Sequence, residues 1–168
     1  MNRQIVVDTE TTGLDPIRGS HRVIEIALVE VIDNKITGKT YQSYFNPQKR
    51  KNTKKAFSLH KLKDSFLLDK PLFTDCITEI VNFIGDAELV FYNKIFDLKF
   101  LNSESQYANN TLNFIEDYKT TCLMKIVTDA LNRKNDNLSL DEACRVYHID
   151  NSDRDIHGAV IDATLTAK

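Results

Sequence analysis

Asp8 and Glu10 stand two residues apart at the end of an apolar run, Ile5-Val6-Val7-Asp8-Thr9-Glu10-Thr11-Thr12-Gly13. Side chains of a strand alternate faces, so both carboxylates point the same way. Neighbouring carboxylates repel, and a hard divalent cation with oxygen ligands relieves the repulsion. Alone, the pair is ordinary, because acidic side chains on strand ends are mostly solvated. Two further acids change its meaning. Asp97 follows a short apolar strand, where the chain passes into a helix, and ligands of α/β sheets bind outside the carboxyl ends of strands. Asp162 lies in His157-Gly158-Ala159-Val160-Ile161-Asp162-Ala163. Four carboxylates around two Mg²⁺ or Mn²⁺ ions, with His157 as general base, would suit phosphodiester hydrolysis. His157 and Asp162 are separated by about 140° on an ideal helix. They can reach one site if His157 lies at the helix entry, outside the first turn. A helix N-terminus also favours the neutral imidazole that can take a proton from water.

The elements that must position these groups are legible from periodicity. The first strand ends at the acidic pair. His21 to Ile32 is apolar on both faces and reads as a central second strand, and Thr40 to Phe45 as a third. The links are too short for helical crossovers, so these three strands form an antiparallel meander. Pro71 fits the first position of a helix that carries Leu72, Phe73, Cys76, Ile77, Ile80, Val81 and Ile84 inward and ends at Gly85. Glu88 to Tyr92 is a strand parallel to the first, and Asn93 to Leu101 starts a helix. Residues 102–111 read as loop, Leu112 to Tyr118 as a segment with a short strand, and Thr121 to Asn132 as a helix. After a polar loop over 132–137, Ser139 with Glu142 forms a capping box for a helix burying Leu140, Ala143 and Cys144. The last helix begins near His157. The fold class is α/β, with a mixed central sheet, antiparallel over its first three strands and then parallel, flanked by helices.

Between the third strand and Pro71, residues 46–63 hold Lys49, Arg50, Lys51, Lys54, Lys55, Lys61 and Lys63 and no acid. This is either a track for a phosphate backbone, with His60 aimed at the substrate, or a solvated connection. The chain of 168 residues, 42% hydrophobic, suits a single domain over 1–168. It has no run long enough to span a membrane and no signal peptide. Cys76, Cys122 and Cys144 form no CxxC pair, which argues against zinc or disulfides and for a reducing, cytoplasmic setting. A net charge of −2 does not by itself announce a nucleic-acid binder.

Three stretches together resemble the motifs of the DnaQ-like, RNase H-like DEDDh exonuclease family: Asp8 to Gly13, Asn93 to Asp97, and His157 to Asp162. Phe66-Leu67-Leu68-Asp69-Lys70-Pro71-Leu72-Phe73, and Ile149-Asp150-Asn151-Ser152 leading to Arg154, Ile156 and His157, are similar to the branch formed by bacterial DNA polymerase III epsilon subunits. The resemblance covers essentially the whole chain. It implies a proofreading 3′→5′ exonuclease acting on single-stranded or frayed DNA 3′ ends. It implies Asp8, Glu10, Asp97 and Asp162 as ligands of two Mg²⁺ or Mn²⁺ ions and His157 as base. It implies Thr11, Thr12 and Leu14 bordering the terminal nucleotide, His60 near it, and Asn93 beside the third acid. Polymerase III alpha and theta-like subunits are the implied partners. That branch usually continues into a polymerase-binding tail, for which this chain ends too soon. Tyr92, Lys94 and Ile95 depart from the residues usual around that asparagine, but spare every expected metal ligand. Two alternatives stand beside this: an RNase T-like or oligoribonuclease-like 3′ exoribonuclease, and a silent domain that only stabilises a polymerase.

Overall fold

β1 (Arg3–Thr11) occupies the middle of the sheet because it has hydrogen-bonding partners on both edges and apolar residues on both faces. The computed structural model describes residues 2–108, 112–133, 138–152, 154 and 156–168. Among them, β2 (Val23–Ile32), β3 (Lys35–Tyr44), β4 (Glu88–Phe91) and β5 (Thr120–Cys122) complete a five-stranded sheet in the order β3-β2-β1-β4-β5. β1 runs antiparallel to β2 and parallel to β4, and β4 runs parallel to β5. The mixed sheet expected from the connection lengths is the one observed.

The two faces of β1 feed two cores. Ile5 and Val7 pack with Ile26, Leu28, Leu89 and Phe91 beneath helices α3 (Phe73–Ile84) and α4 (Lys94–Tyr107). Val6 faces the other way, with Ala27, Val29 and Val90, against Ala159 and Ala163 of α7 (Ala159–Ala167). Asp8 and Glu10 continue the Val6 alternation and therefore point towards the α7 side. The other helices are α1 (Lys54–His60), α2 (Asp64–Leu67), α5 (Leu123–Ala130) and α6 (Leu140–Val146).

Several boundaries differ from those the pattern suggested. β3 starts at Lys35 rather than Thr40, because Asp33 and Asn34 both adopt positive φ, at 48° and 62°. That is the geometry of a two-residue hairpin, which Asp and Asn tolerate. Residues 35–40 are exposed, so no burial pattern advertised them as strand. Pro71 precedes α3 instead of opening it. Leu72 is the N-cap, and its N–H donates to Asp75 Oδ2 at 3.0 Å.

The larger correction concerns residues 102–107, which are helical and not loop. Glu104, 1% exposed, receives Arg22 Nε at 2.8 Å, Arg22 Nη2 at 2.6 Å and the Val23 N–H at 3.0 Å. A polar stretch thus stays helical because its acid is buried and fully engaged. Leu112 to Tyr118 is a turn around buried Phe114 rather than a strand, and β5 takes Thr121 and Cys122 from the expected helix. Ser139 caps α6, accepting from the Glu142 N–H at 3.2 Å, but the Glu142 carboxylate pairs with Arg133 at 2.5 Å, so only half of the expected capping box forms. Residues 134–137 of the expected polar loop lie outside the described residues.

Candidate active site

Four acids converge at the carboxyl end of β1 by different routes. Asp8 and Glu10 arrive by strand alternation. Asp162 sits in the first turn of α7 and is 5% exposed. Asp97 comes from the opposite face of the sheet, in the first turn of α4, and is 4% exposed. Thr9, which points away from Asp8 and Glu10, donates its hydroxyl to Asp97 Oδ1 at 2.7 Å and ties the two faces together. A fifth acid, Glu25 of β2, lies opposite Glu10 in register and is 2% exposed. It accepts from Gln42 at 2.6 Å and from the Ala159 N–H at 3.4 Å.

Crowded, buried carboxylates resist ionisation. Burial, followed by the fields of Asp97, Glu10, Asp162 and Glu25, holds Asp8 well above the usual carboxylate range. Burial and then Asp162, Glu25 and Asp97 push Glu10 up to about 8, with Arg154 opposing. Burial pushes Asp97 up to about 7 against the hydrogen bonds from Thr9. Burial acts upward on Asp162 as well, but the two hydrogen bonds and the charge of Arg154 outweigh it and hold this acid low.

The pattern yields a stability prediction. Glu10 and Asp97 ionise at higher pH in the folded chain than in the unfolded one. Between pH 6.5 and 8 the folded state therefore binds more protons, and stability falls as pH rises. His60, pushed down to about 4 chiefly by burial, has the opposite sign, but acts mainly below pH 6.5 and offsets only a small part of the fall above it. In EDTA, the melting temperature should drop from pH 6.5 to pH 8. Millimolar Mg²⁺ or Mn²⁺ should restore it, more at pH 8 than at pH 6.5. A melting temperature that climbs over this interval would contradict the crowding of the acids.

His157 lies two residues before α7, and its N–H donates to Leu59 O at 3.2 Å. Freed from the helix, the ring reaches Asp162, with Nδ1 3.3 Å from Oδ2. Ligand atoms of Glu10, His157 and Asp162 lie within 4.8 Å of one another, close enough to share one ion. The donor set of this group is two carboxylate oxygens and one imidazole nitrogen, with no thiolate, and it suits Mn²⁺ as well as harder divalent ions held by the acids alone.

Beside the acids, a cleft of about 430 Å³ is lined by Glu10, Thr11, Leu14, Lys55, His60 and Phe96 among others. Leu14 is 65% exposed there. His60 accepts from the Leu62 N–H through Nδ1 at 3.0 Å, which leaves Nε2 as its hydrogen-bearing nitrogen, buried, with the Thr11 backbone nearby but no well-formed hydrogen bond. Thr12 lies elsewhere. It is fully buried, bonded to His21 Nδ1 at 3.0 Å, and accepts from the Arg22 N–H at 3.0 Å. Asn93 is exposed at the head of α4. Gly13 must lack a side chain, since a Cβ there would collide with the His21 ring. Glu25 and the contacts of Arg154 were not anticipated from the sequence. The signal for Glu25 was a single acid on the face that Val23, Ala27, Val29 and Val31 make apolar, with Glu30 on the other face of the same strand.

The mixed five-stranded sheet and its flanking helices define an RNase H-like fold. Residues 5–168 match the exonuclease family RNase_T, and the chain belongs to that family. Among its relatives, the DNA polymerase III subunit epsilon of Rickettsia typhi is 40% identical over 99% of this chain and 71% of its own length. The epsilon subunit of Escherichia coli K12 is 38% identical over 100% and 70%. The nuclease domain of 3′hExo, a DEDDh family member solved with rAMP, shares the fold at TM-score 0.82 and 18% identity, covering 99% of this chain and 88% of that one. A full-length 3′-exonuclease matches at TM-score 0.82 and 18% identity, the chain covering 58% of it.

Proposed function

We propose that this exonuclease removes nucleotides from DNA 3′ ends with divalent metal ions, as the proofreading subunit of a DNA polymerase III. The observation that carries the reading is the convergence of Asp8, Glu10, Asp97 and Asp162 in a buried site, where burial, joined by neighbouring acids at Asp8 and Glu10, holds three of them above the normal carboxylate range. A purely structural domain gains nothing from this arrangement. The epsilon names of relatives at 38% and 40% identity support the DNA assignment. Residues 1–168 would form one exonuclease domain, working in the cytoplasm beside alpha and theta-like subunits. No helix among the described residues is long and apolar enough to cross a membrane.

Two Mg²⁺ or Mn²⁺ ions held by the four acids would supply a hydroxide-strength nucleophile at neutral pH and relieve charge on the leaving 3′ oxygen. The chain's own groups do the rest. His157, beside Asp162, would take the proton of the attacking water. Thr11, Leu14 and Phe96 would wall the terminal nucleotide, and His60 Nε2–H would donate to it. Asn93 would border the approach, and Thr12 would serve by fixing the Thr11–Gly13 turn through His21. None of these groups reads a base edge, so selection for mispaired ends would come from their easier fraying.

The test is digestion of matched and 3′-mispaired DNA primers, and of an RNA of the same sequence, with Mg²⁺, Mn²⁺ or EDTA. Faster loss of the mispaired DNA end, abolished by EDTA, is expected. Faster digestion of RNA would instead favour the exoribonuclease reading.

The basic segment makes a separate expectation. Lys49, Lys51 and Lys55 are exposed, and Lys55 reaches the cleft, whereas Arg50 contacts the His21 ring at 3.2 Å. Changing the three lysines to glutamine should weaken binding to single-stranded DNA. It should also lower the slope of log affinity against log salt by about 0.7 for each phosphate that a lysine no longer neutralises. An unchanged slope would leave the segment as solvated surface.

A further inference from the structure

Arg154 is the cation built into the acidic cluster. Its Nε donates to Asp162 Oδ1 at 2.6 Å and its Nη2 to Asp162 Oδ2 at 2.7 Å, a bidentate fork. The same Nη2 lies 2.9 Å from His157 Nδ1, and Nη1 reaches Asp141 Oδ1 at 2.6 Å. The arginine side chain is 5% exposed, whereas that of Asp141 is 55% exposed.

A guanidinium has only donors and keeps its charge. His157 Nδ1 must therefore be the acceptor in its contact with Arg154. In the neutral ring, Nε2 then carries the hydrogen. With Nδ1 occupied and Nε2 protonated, neither nitrogen can accept a proton from water. Asp162 is similarly engaged, since both of its oxygens face the fork. A divalent ion coming to either oxygen would meet a fixed positive charge at hydrogen-bond distance.

We propose that Arg154 is a positioning residue that competes with the divalent ion for Asp162 and also blocks His157, so that metal loading and release of the base are one event. This rests on the metal reading of the site given above. When Asp162 turns to an ion, Asp141 at the rim remains as the arginine's anchor. The guanidinium can then withdraw towards solvent without losing every partner.

The test is calorimetric titration of the purified protein with Mn²⁺, comparing wild type, Arg154→Met and Arg154→Lys. Removing one adjacent cation should tighten Mn²⁺ binding by about tenfold in Arg154→Met. Arg154→Lys, which keeps the charge but not the fork, should fall between. Weaker binding in Arg154→Met would overturn the proposal and make the arginine a support for the ligand. Equal binding in all three would also overturn it, while leaving the metal site intact. A wild type that takes up no Mn²⁺ would remove both the metal reading and the competition. A second measurement needs no variant. In the side-chain ¹⁵N spectrum of wild type, His157 should show an unprotonated Nδ1 in EDTA and a changed ring signal with Mg²⁺. A protonated Nδ1 in EDTA, or a ring signal indifferent to Mg²⁺, would count against the competition.

Discussion

Asp8→Asn will slow 3′-end hydrolysis by about three orders of magnitude, the scale at which loss of one preorganised charge at a reacting centre is felt. The same change will raise the melting temperature in EDTA at pH 8. The two effects have one cause. Burial denies Asp8 the solvent that would spread its charge, and Asp97, Glu10 and Asp162 add their repulsion. Asparagine keeps the shape and removes the repulsion. At pH 5 the stability gain should be smaller, because it shrinks as the pH falls towards 3.8, the ordinary aspartate value, and vanishes only below it. Kinetics with a labelled primer and thermal melts at the two pH values measure both. A variant that is inactive and also less stable at pH 8 would mean that Asp8 holds the fold rather than an ion.

His157→Ala will lower kcat by about a hundredfold to ten-thousandfold, the range for loss of a general base. KM for the primer should change little, because the ring stands beside Asp162 and not along the cleft walls. Mn²⁺ affinity separates this role from its rival. His157 shares a potential ion site with Glu10 and Asp162, so it could instead be a ligand. Retained Mn²⁺ affinity with slow turnover fits the base. A parallel loss of both makes it a ligand, and exogenous imidazole should then fail to restore turnover.

The sequence announced what depends on local period and failed where tertiary burial decides. The apolar alternation of β1 and β2 and the helical spacing from Phe73 to Ile84 were visible, because core contact and chain geometry share those periods. The strand-end position of Asp8 and Glu10 followed directly. Residues 102–107 read as loop because Glu104 looks like a surface acid until Arg22, 82 positions away, is seen to bond it. The start of β3 stayed hidden because an exposed strand, held by backbone bonds and by polar ties such as Thr37 to Glu30, leaves no hydrophobic trace. The convergence of Asp97 with Asp8 depends on the Thr9 hydroxyl, a contact across 88 positions that no spacing encodes. Arg154 stood in a recognisable run, but its fork onto Asp162 and His157 emerged only in three dimensions.

Crystals grown with Mn²⁺ and a nucleoside monophosphate, measured at the manganese absorption edge, test the central claim most directly. Anomalous peaks should fall among the carboxylates of Asp8, Glu10, Asp97 and Asp162, with the nucleotide in the cleft between Leu14 and His60. Manganese bound elsewhere, with those four carboxylates unliganded in a preparation that still digests DNA, would contradict it.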